Sequence, residues 1–169
     1  MTKRLGALEI ASLLDRYADP LAIYASQWTQ LADDCVQEAF VELAKQPPPN
    51  NPVSWLYNVV RNRAINAGRS EQRRKKREQL SGSLRDSATS IDPSIELQAV
   101  DEQQRMLNVL ESMPDDLREL IALRIWSELT WAEIAKLTNT SSSSAQRTYV
   151  QALELMKNKL ETTCLTKPH

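Results

Sequence analysis

From Ile10 to Trp28 the apolar residues Ile10, Leu13, Leu14, Tyr17, Leu21, Tyr24 and Trp28 recur at steps of three and four, the spacing that keeps side chains on one face of an α-helix. Asp19-Pro20 interrupts the run as a cap followed by a first-turn proline, so the pattern predicts two successive helices sharing one core-facing stripe. A third helix is predicted to start near Asp33, with Val36, Phe40 and Leu43 on one side. Gln46 to Pro52 holds four prolines and cannot continue it, because each proline lacks an amide donor and restricts the residue before it. Asn51-Pro52 then offers an N-cap and a first-turn proline, and Trp55, Leu56, Val59 and Val60 resume the helical spacing. Four helices ending near Leu80 would form a small bundle.

Between Ser81 and Ser94 the chain reads SGSLRDSATSIDPS, in which ten of fourteen positions are Ser, Thr, Gly, Asp or Pro. Such a stretch buries too little apolar surface to offset its ordering entropy, so a flexible linker is expected. Helical spacing returns from Ile95 to Met113 through Leu97, Val100, Met106, Leu107, Val109 and Leu110. Pro114 opens a further helix with Leu117, Leu120, Ile121 and Ile125 as its buried stripe. Thr130-Trp131-Ala132-Glu133 has the form of a capping box. Ile134 and Leu137 would face inward, with Ala135 allowing close approach, and Asn139 suits a left-handed stop. Ser141 or Ser142 can cap the last helix, whose apolar positions are Ala145, Tyr149, Ala152, Met156 and Leu160. A short helix, a tight turn and a second helix resemble a helix-turn-helix. Ser142, Ser143, Ser144, Gln146, Arg147 and Gln151 would then meet a major groove; a plain helical hairpin fits the pattern too. The fold class is all-α, with helical domains at residues 1–80 and 95–163 joined by a linker at 81–94. Only three glycines and almost no β-branched alternation support it.

Charge changes the picture. Arg61 to Arg77 holds eight of the chain's 21 basic residues against one acid, Glu71. The rest of the chain keeps 13 basic and 21 acidic residues, although the overall net charge is −1. Because this run continues an amphipathic helix, its charges project from a packed scaffold, and a nucleic acid is the leading partner. A solvated helix face is the plainer alternative. One histidine, at position 169, leaves no histidine-based catalytic pair, and no phosphate loop or metal-ligand cluster is present. No enzymatic activity, cofactor or metal is expected. Cys35 and Cys164 lie far apart without a CxxC, which suits free thiols in a reducing cytoplasm. No apolar run approaches the ~18 residues of a membrane span. The opening MTKRLGALEIAS lacks a signal-peptide hydrophobic region, and ETTCLTKPH is too short for a further domain.

Taken together, the two halves resemble a bacterial RNA polymerase sigma factor of the extracytoplasmic-function group, over roughly residues 10–78 and 95–160. DRYADPLAIYASQW resembles the opening helices of sigma region 2, and ADDCVQEAFVELAKQ its polymerase-binding helix. SWLYNVVRNRAINAGRSEQRRKKR resembles the segment that melts and reads the −10 element. MPDDLRELIALRIWSELTWAEIAKLTN resembles the start of region 4. By residue type alone, Asp34, Gln37 and Glu38 form one polar helix face that reads as solvated surface. The resemblance implies that Asp33, Asp34, Gln37 and Glu38 grip the β′ clamp coiled coil of core polymerase. It implies further that Arg61, Asn62, Arg63, Asn66 and Arg69 face −10 promoter DNA. Arg73, Arg74, Lys75, Lys76 and Arg77 suit sequence-independent phosphate binding. Trp55 and Tyr57 could stack on an unpaired base, though Trp55 lies on the apolar stripe. Region 4 would add the β flap as a partner, and Arg124, Ser142, Ser143, Ser144, Gln146, Arg147 and Gln151 as the −35 face. Arg118 is a further backbone candidate.

This last helix departs from the family pattern. Arg147 is its one basic residue before Lys157 and Lys159; Gln146, Thr148 and Leu153 stand where basic residues are usual, and Asn139 replaces a glycine. Two other readings follow: an interaction protein that keeps polymerase binding with weak promoter reading, and a free-standing helix-turn-helix transcription factor. Family members are often clamped by an anti-sigma protein, so such a partner is a third implied contact. The expected location is the bacterial cytoplasm.

Overall fold

The computed structural model describes residues 4–82 and 99–165, and among these every regular element is an α-helix. Helices α1 (Ala7–Ala25), α2 (Ala32–Lys45) and α3 (Pro52–Leu80) form the N-terminal half. Helices α4 (Ala99–Glu111), α5 (Asp115–Trp126), α6 (Trp131–Leu137) and α7 (Ser142–Leu165) form the C-terminal half. The expected linker at 81–94 lies outside the described residues from position 83, as do Ile95 and Leu97.

One helix, not two, spans the N-terminal stripe, because α1 runs through Pro20. The proline leaves the Arg16 carbonyl without its helical donor. Burial of Tyr17, Leu21, Tyr24 and Ala25 on either side holds the helix together regardless. Leu14, assigned to the stripe, is exposed. The start of α3 follows its sequence signal closely: the Asn51 side chain accepts from the Val53 and Ser54 amides at 3.1 Å each, and Pro52 takes the first helical position. Gly82, at φ +71°, ends the same helix in the left-handed region that glycine tolerates without penalty.

Along α3 the residues packed inward every fourth position are Leu56, Val60, Ala64 and Gly68. Side-chain size falls steadily along this row, so the helix closes on the α1–α2 connection as it proceeds. At Gly68 an added Cβ would lie 2.1 Å from the Trp28 carbonyl oxygen. Glu71, the lone acid of the basic run, fastens the same place: its carboxylate accepts from the Thr29 hydroxyl at 2.6 Å and the Gln30 amide at 3.5 Å. Every residue from 72 to 80 is exposed. The last stretch of α3 therefore stands clear of the bundle by about 13 Å, at 1.5 Å per residue.

The two halves share a core. One apolar cluster joins Leu21, Tyr24, Leu56 and Val60 of the first half to Leu120, Leu123, Leu129, Ile134 and Ala145 of the second. Helix α5 sits between α1 and α7, and Glu119 through Leu123 are buried without a break. That position explains why the stripe expected on α5 is incomplete: a helix covered on several sides has no single buried face. Ile125, expected in the core, is 53% exposed. The helix expected to Met113 stops at Glu111, while Met113 packs in a smaller cluster with Ile121 and Ala152.

Candidate nucleic-acid and partner interfaces

Asp33, Asp34, Gln37 and Glu38 are all exposed on α2, opposite the buried Cys35, Val36, Ala39, Phe40 and Leu43. The two aspartates sit in the first turn, where the helix dipole favours negative charge. Arg63 reaches across from α3 and bonds both Glu38 at 2.5 Å and Glu42 at 2.6 Å. These carboxylates, Glu42 first, hold the Arg63 guanidinium above its ordinary pKa. A shallow groove beside this bridge is lined by Gln37, Glu38, Val41, Glu42, Lys45 and Arg63. Val41 and Glu42 were not singled out by sequence. Alternation of polar residues gave Glu42 no distinction, and an exposed valine on an amphipathic helix becomes visible only once the face is built.

Arg63 thus joins α2 to α3 in this structure instead of pointing away from the bundle. Arg61 is likewise engaged, by Glu119 of α5. The exposed residues Asn62, Asn66, Arg69 and Arg73 follow at steps of four, three and four, so they line one side of α3. Lys76 and Arg77 continue that line, and Arg74 and Lys75 flank it, all exposed. Trp55 is half-buried against the core, and Tyr57 is fully buried, so neither ring is presented to an unpaired base here.

The capping box of α6 is formed. The Glu133 amide donates to the Thr130 hydroxyl at 3.3 Å, and the Glu133 carboxylate accepts from the Thr130 amide at 2.8 Å. That amide bond holds the Glu133 carboxyl below its usual pKa. Asn139 adopts φ +57° at the turn, as its residue type suggested. Ser141, not Ser142, caps α7, its hydroxyl accepting from the Ser144 amide at 3.1 Å. Ser143, Gln146, Arg147 and Gln151 are exposed, whereas Ser142 and Ser144 are half-buried. Val150, 54% exposed among them, was missed; an apolar contact of this kind can meet a thymine methyl group. Arg124 stacks over the Trp131 ring at 4.8 Å, and Trp131 meets Tyr149 edge-on at 5.5 Å. This arrangement holds a cation beside the start of α6.

Three glutamates of the C-terminal half cross the seam to the N-terminal half. Glu119, 6% exposed, accepts from the Tyr24 hydroxyl at 2.7 Å and from Arg61 Nε at 2.6 Å and Nη2 at 3.2 Å. The hydrogen bond to Glu119 raises the Arg61 pKa, and burial first, then Glu119, pushes the Tyr24 phenol well up. Glu128 takes Arg16 at 2.7 and 2.8 Å and the Tyr17 hydroxyl at 2.9 Å. The Arg16 bond, then the Tyr17 bond, lowers the Glu128 pKa, so its contribution to stability is complete above the ordinary carboxylate range and is lost as pH falls through the lowered value. Glu133 also accepts from the Asn51 side chain. None of these long-range partners carries a local sequence signal.

A family model for Sigma-70 region 2 matches residues 13–74, and one for Sigma-70, region 4 matches residues 103–156. The chain is 25% identical over 135 residues to the ECF RNA polymerase sigma factor SigK of Mycobacterium ulcerans (strain Agy99), across 77% of this chain and 72% of that protein. It is 26% identical over 117 residues to the SigK of Mycobacterium sp. (strain JLS), across 66% of this chain and 58% of that protein. A solved structure of similar fold is the sigma factor RpoE in complex with the anti-sigma factor NepR from Bartonella quintana. The TM-score is 0.62 at 20% identity, covering 89% of this chain and 96% of that one.

Proposed function

The chain belongs to the sigma-70 family, in its extracytoplasmic-function (ECF) group of promoter-specific transcription initiation factors, and we propose that it does this work through three separate faces. The acidic face of α2 docks on the β′ clamp coiled coil of core RNA polymerase, and the C-terminal domain meets the β flap. Asn62, Asn66 and Arg69, with Arg61 once released, meet the −10 element, where asparagine amides can bond base edges and arginines phosphates. Arg73 to Arg77 add phosphate binding without sequence preference. The exposed face of α7 with Arg124 meets the −35 element. The protein contributes binding and geometry, not covalent chemistry, and its place is the bacterial cytoplasm. An anti-sigma protein is a further partner, by analogy with the fold relative that binds one.

The observation that carries this reading is the one-sided row from Asn62 to Arg77 on a helix built into a capped, packed scaffold. The experiment is run-off transcription from fragmented genomic DNA, with purified core polymerase and with or without the protein. Discrete new start sites sharing an upstream sequence are expected. Core binding without new start sites would favour the interaction-protein reading, which the single arginine among the exposed positions 143–151 of α7 motivates. Binding to duplex DNA with no affinity for core would favour the free-standing factor.

Glu38→Arg is expected to weaken core binding at least about tenfold, since it reverses a charge-assisted contact and breaks the Arg63 bridge. Asp34→Arg, outside that bridge, should weaken binding while leaving the fold intact. Fluorescence anisotropy with labelled protein reads both. Wild-type affinity in the two variants would remove α2 as the docking face.

A further inference from the structure

We propose that Glu71 is a positioning residue for promoter reading: from the back of α3 it ties the helix to the α1–α2 connection, and so fixes the register between the base-facing asparagines and the phosphate-facing cations. The proposal rests on the promoter-reading role assigned above to α3. Glu71 is the lone acid among the eight cations of positions 61 to 77, where a carboxylate repels phosphate unless it faces elsewhere. It does face elsewhere. At about 100° per residue, a position two steps from Arg69 and two from Arg73 lies about 200° around the helix from both. Asn62, Asn66, Arg69 and Arg73 share one exposed side, so the half-buried Glu71 occupies the opposite one.

The segment it grips is itself well fixed. Trp28 meets the buried Tyr24 ring edge-on at 5.0 Å, and its amide donates to the Ala25 carbonyl at 3.1 Å. Thr29 is buried. Its hydroxyl accepts from the Leu31 amide at 3.0 Å and donates its one proton to Glu71 at 2.6 Å, so the bond has a single direction. The Gln30 amide adds a longer bond to the second carboxylate oxygen. With Gly68 set against the Trp28 carbonyl, α3 is fastened at two points within one turn, and every later residue of the helix is exposed. If the Glu71 tie is released, a tilt of about 10° there moves Arg77, about 9 Å further on, by about 1.6 Å. Hydrogen bonds tolerate only about 0.5 Å. A promoter complex needs phosphate and base contacts in register, because the first position the protein and the second specify the sequence. Mixed-sequence DNA offers phosphates in any register and does not need the tie.

The test measures affinity of the polymerase complex for a promoter found by run-off transcription and for a mixed-sequence duplex. Wild type is compared with Glu71→Ala, Thr29→Val and Thr29→Ser. Glu71→Ala and Thr29→Val should each lower the ratio of promoter to mixed-sequence affinity at least about fivefold, the effect of about one mismatched base pair. Thr29→Ser, which keeps the hydroxyl, should stay within about twofold of wild type. Agreement between the first two matters because Glu71→Ala removes a negative charge and Thr29→Val changes none. A Glu71 that acts only as a repelling charge would give the opposite pattern: Glu71→Ala would tighten both DNAs alike and Thr29→Val would change neither. That pattern, or a fall in Tm with an unchanged ratio, would overturn the proposal. Circular dichroism will show whether each variant keeps its helices; if Glu71→Ala unfolds, Thr29→Val decides. Wild type separates the two levels of failure. If it does not discriminate promoter from mixed-sequence DNA, the promoter-reading role falls and the proposal with it; if it does and both variants match it, only the positioning role falls.

Discussion

Replacing Arg73, Arg74, Lys75, Lys76 and Arg77 together with glutamine will flatten the salt dependence of promoter binding by the polymerase complex, with little change in sequence preference. Each neutralised phosphate contributes ~0.9 to the slope of log K against log salt on duplex DNA. Five consecutive helical residues, at about 100° each, encircle the helix, so not all five can face one duplex. Two or three contacts are sterically available, and the slope should fall by about 2 to 3. The side chains are exposed, and their internal bonds are weak competitors: Arg74 meets Glu78 at 3.6 Å, and Arg77 bonds the Arg73 carbonyl at 3.3 Å. Phosphate contacts position a protein without reading sequence, which is why the preferred promoter should not change. Binding titrations at several salt concentrations will measure the slope. An unchanged slope would identify this end of α3 as a solvated helix tip.

Gly68→Ala will destabilise the protein, although alanine is the better helix former by about 1 kcal/mol. The added methyl would lie 2.1 Å from the Trp28 carbonyl oxygen, and that obstacle is backbone, not the end of a flexible side chain. Moving Trp28 also pulls on the Thr29 hydroxyl bond to Glu71. Overpacking costs of about 1–3 kcal/mol are usual even where side chains can shift, and a backbone obstacle belongs at or above the top of that range. A net loss of about 2 kcal/mol or more, after the propensity gain, lowers Tm by at least about 4–8 °C for a chain of this size. Thermal unfolding followed by circular dichroism will check it. An equal or higher Tm would show that α3 can move off Trp28, and the tapered row from Leu56 to Gly68 would lose its meaning.

Caps and turns whose chemistry is local appear in the structure as the sequence indicates, Pro20 apart. Asn51-Pro52, the Thr130–Glu133 box and Asn139 each act within a few residues, and each appears as its sequence indicated. The same holds for the acidic face of α2 and the basic end of α3, because amphipathic spacing needs only a single helix to be legible. Family resemblance added the assignment of faces to partners, which residue types alone left open.

Structure departs from sequence pattern where a second element decides the outcome. Pro20 reads as a break, yet packing on both sides of it keeps α1 whole. Ile125 follows the helical period of a one-sided core, but α5 is enclosed between α1 and α7. Arg61 and Arg63 sit among the other cations of the basic run, and nothing near them foretells Glu119, 58 residues on, or Glu38 and Glu42, 25 and 21 residues back.

By itself, then, the sequence determined the all-helical class, the caps and turns, and the charge segregation on α3, because backbone hydrogen bonding and side-chain period act over one or two helical turns. Only the tertiary structure decided which cations remain free and that the two domains close on each other. Those outcomes depend on carboxylates brought within reach by long-range packing, whose energy no local pattern encodes.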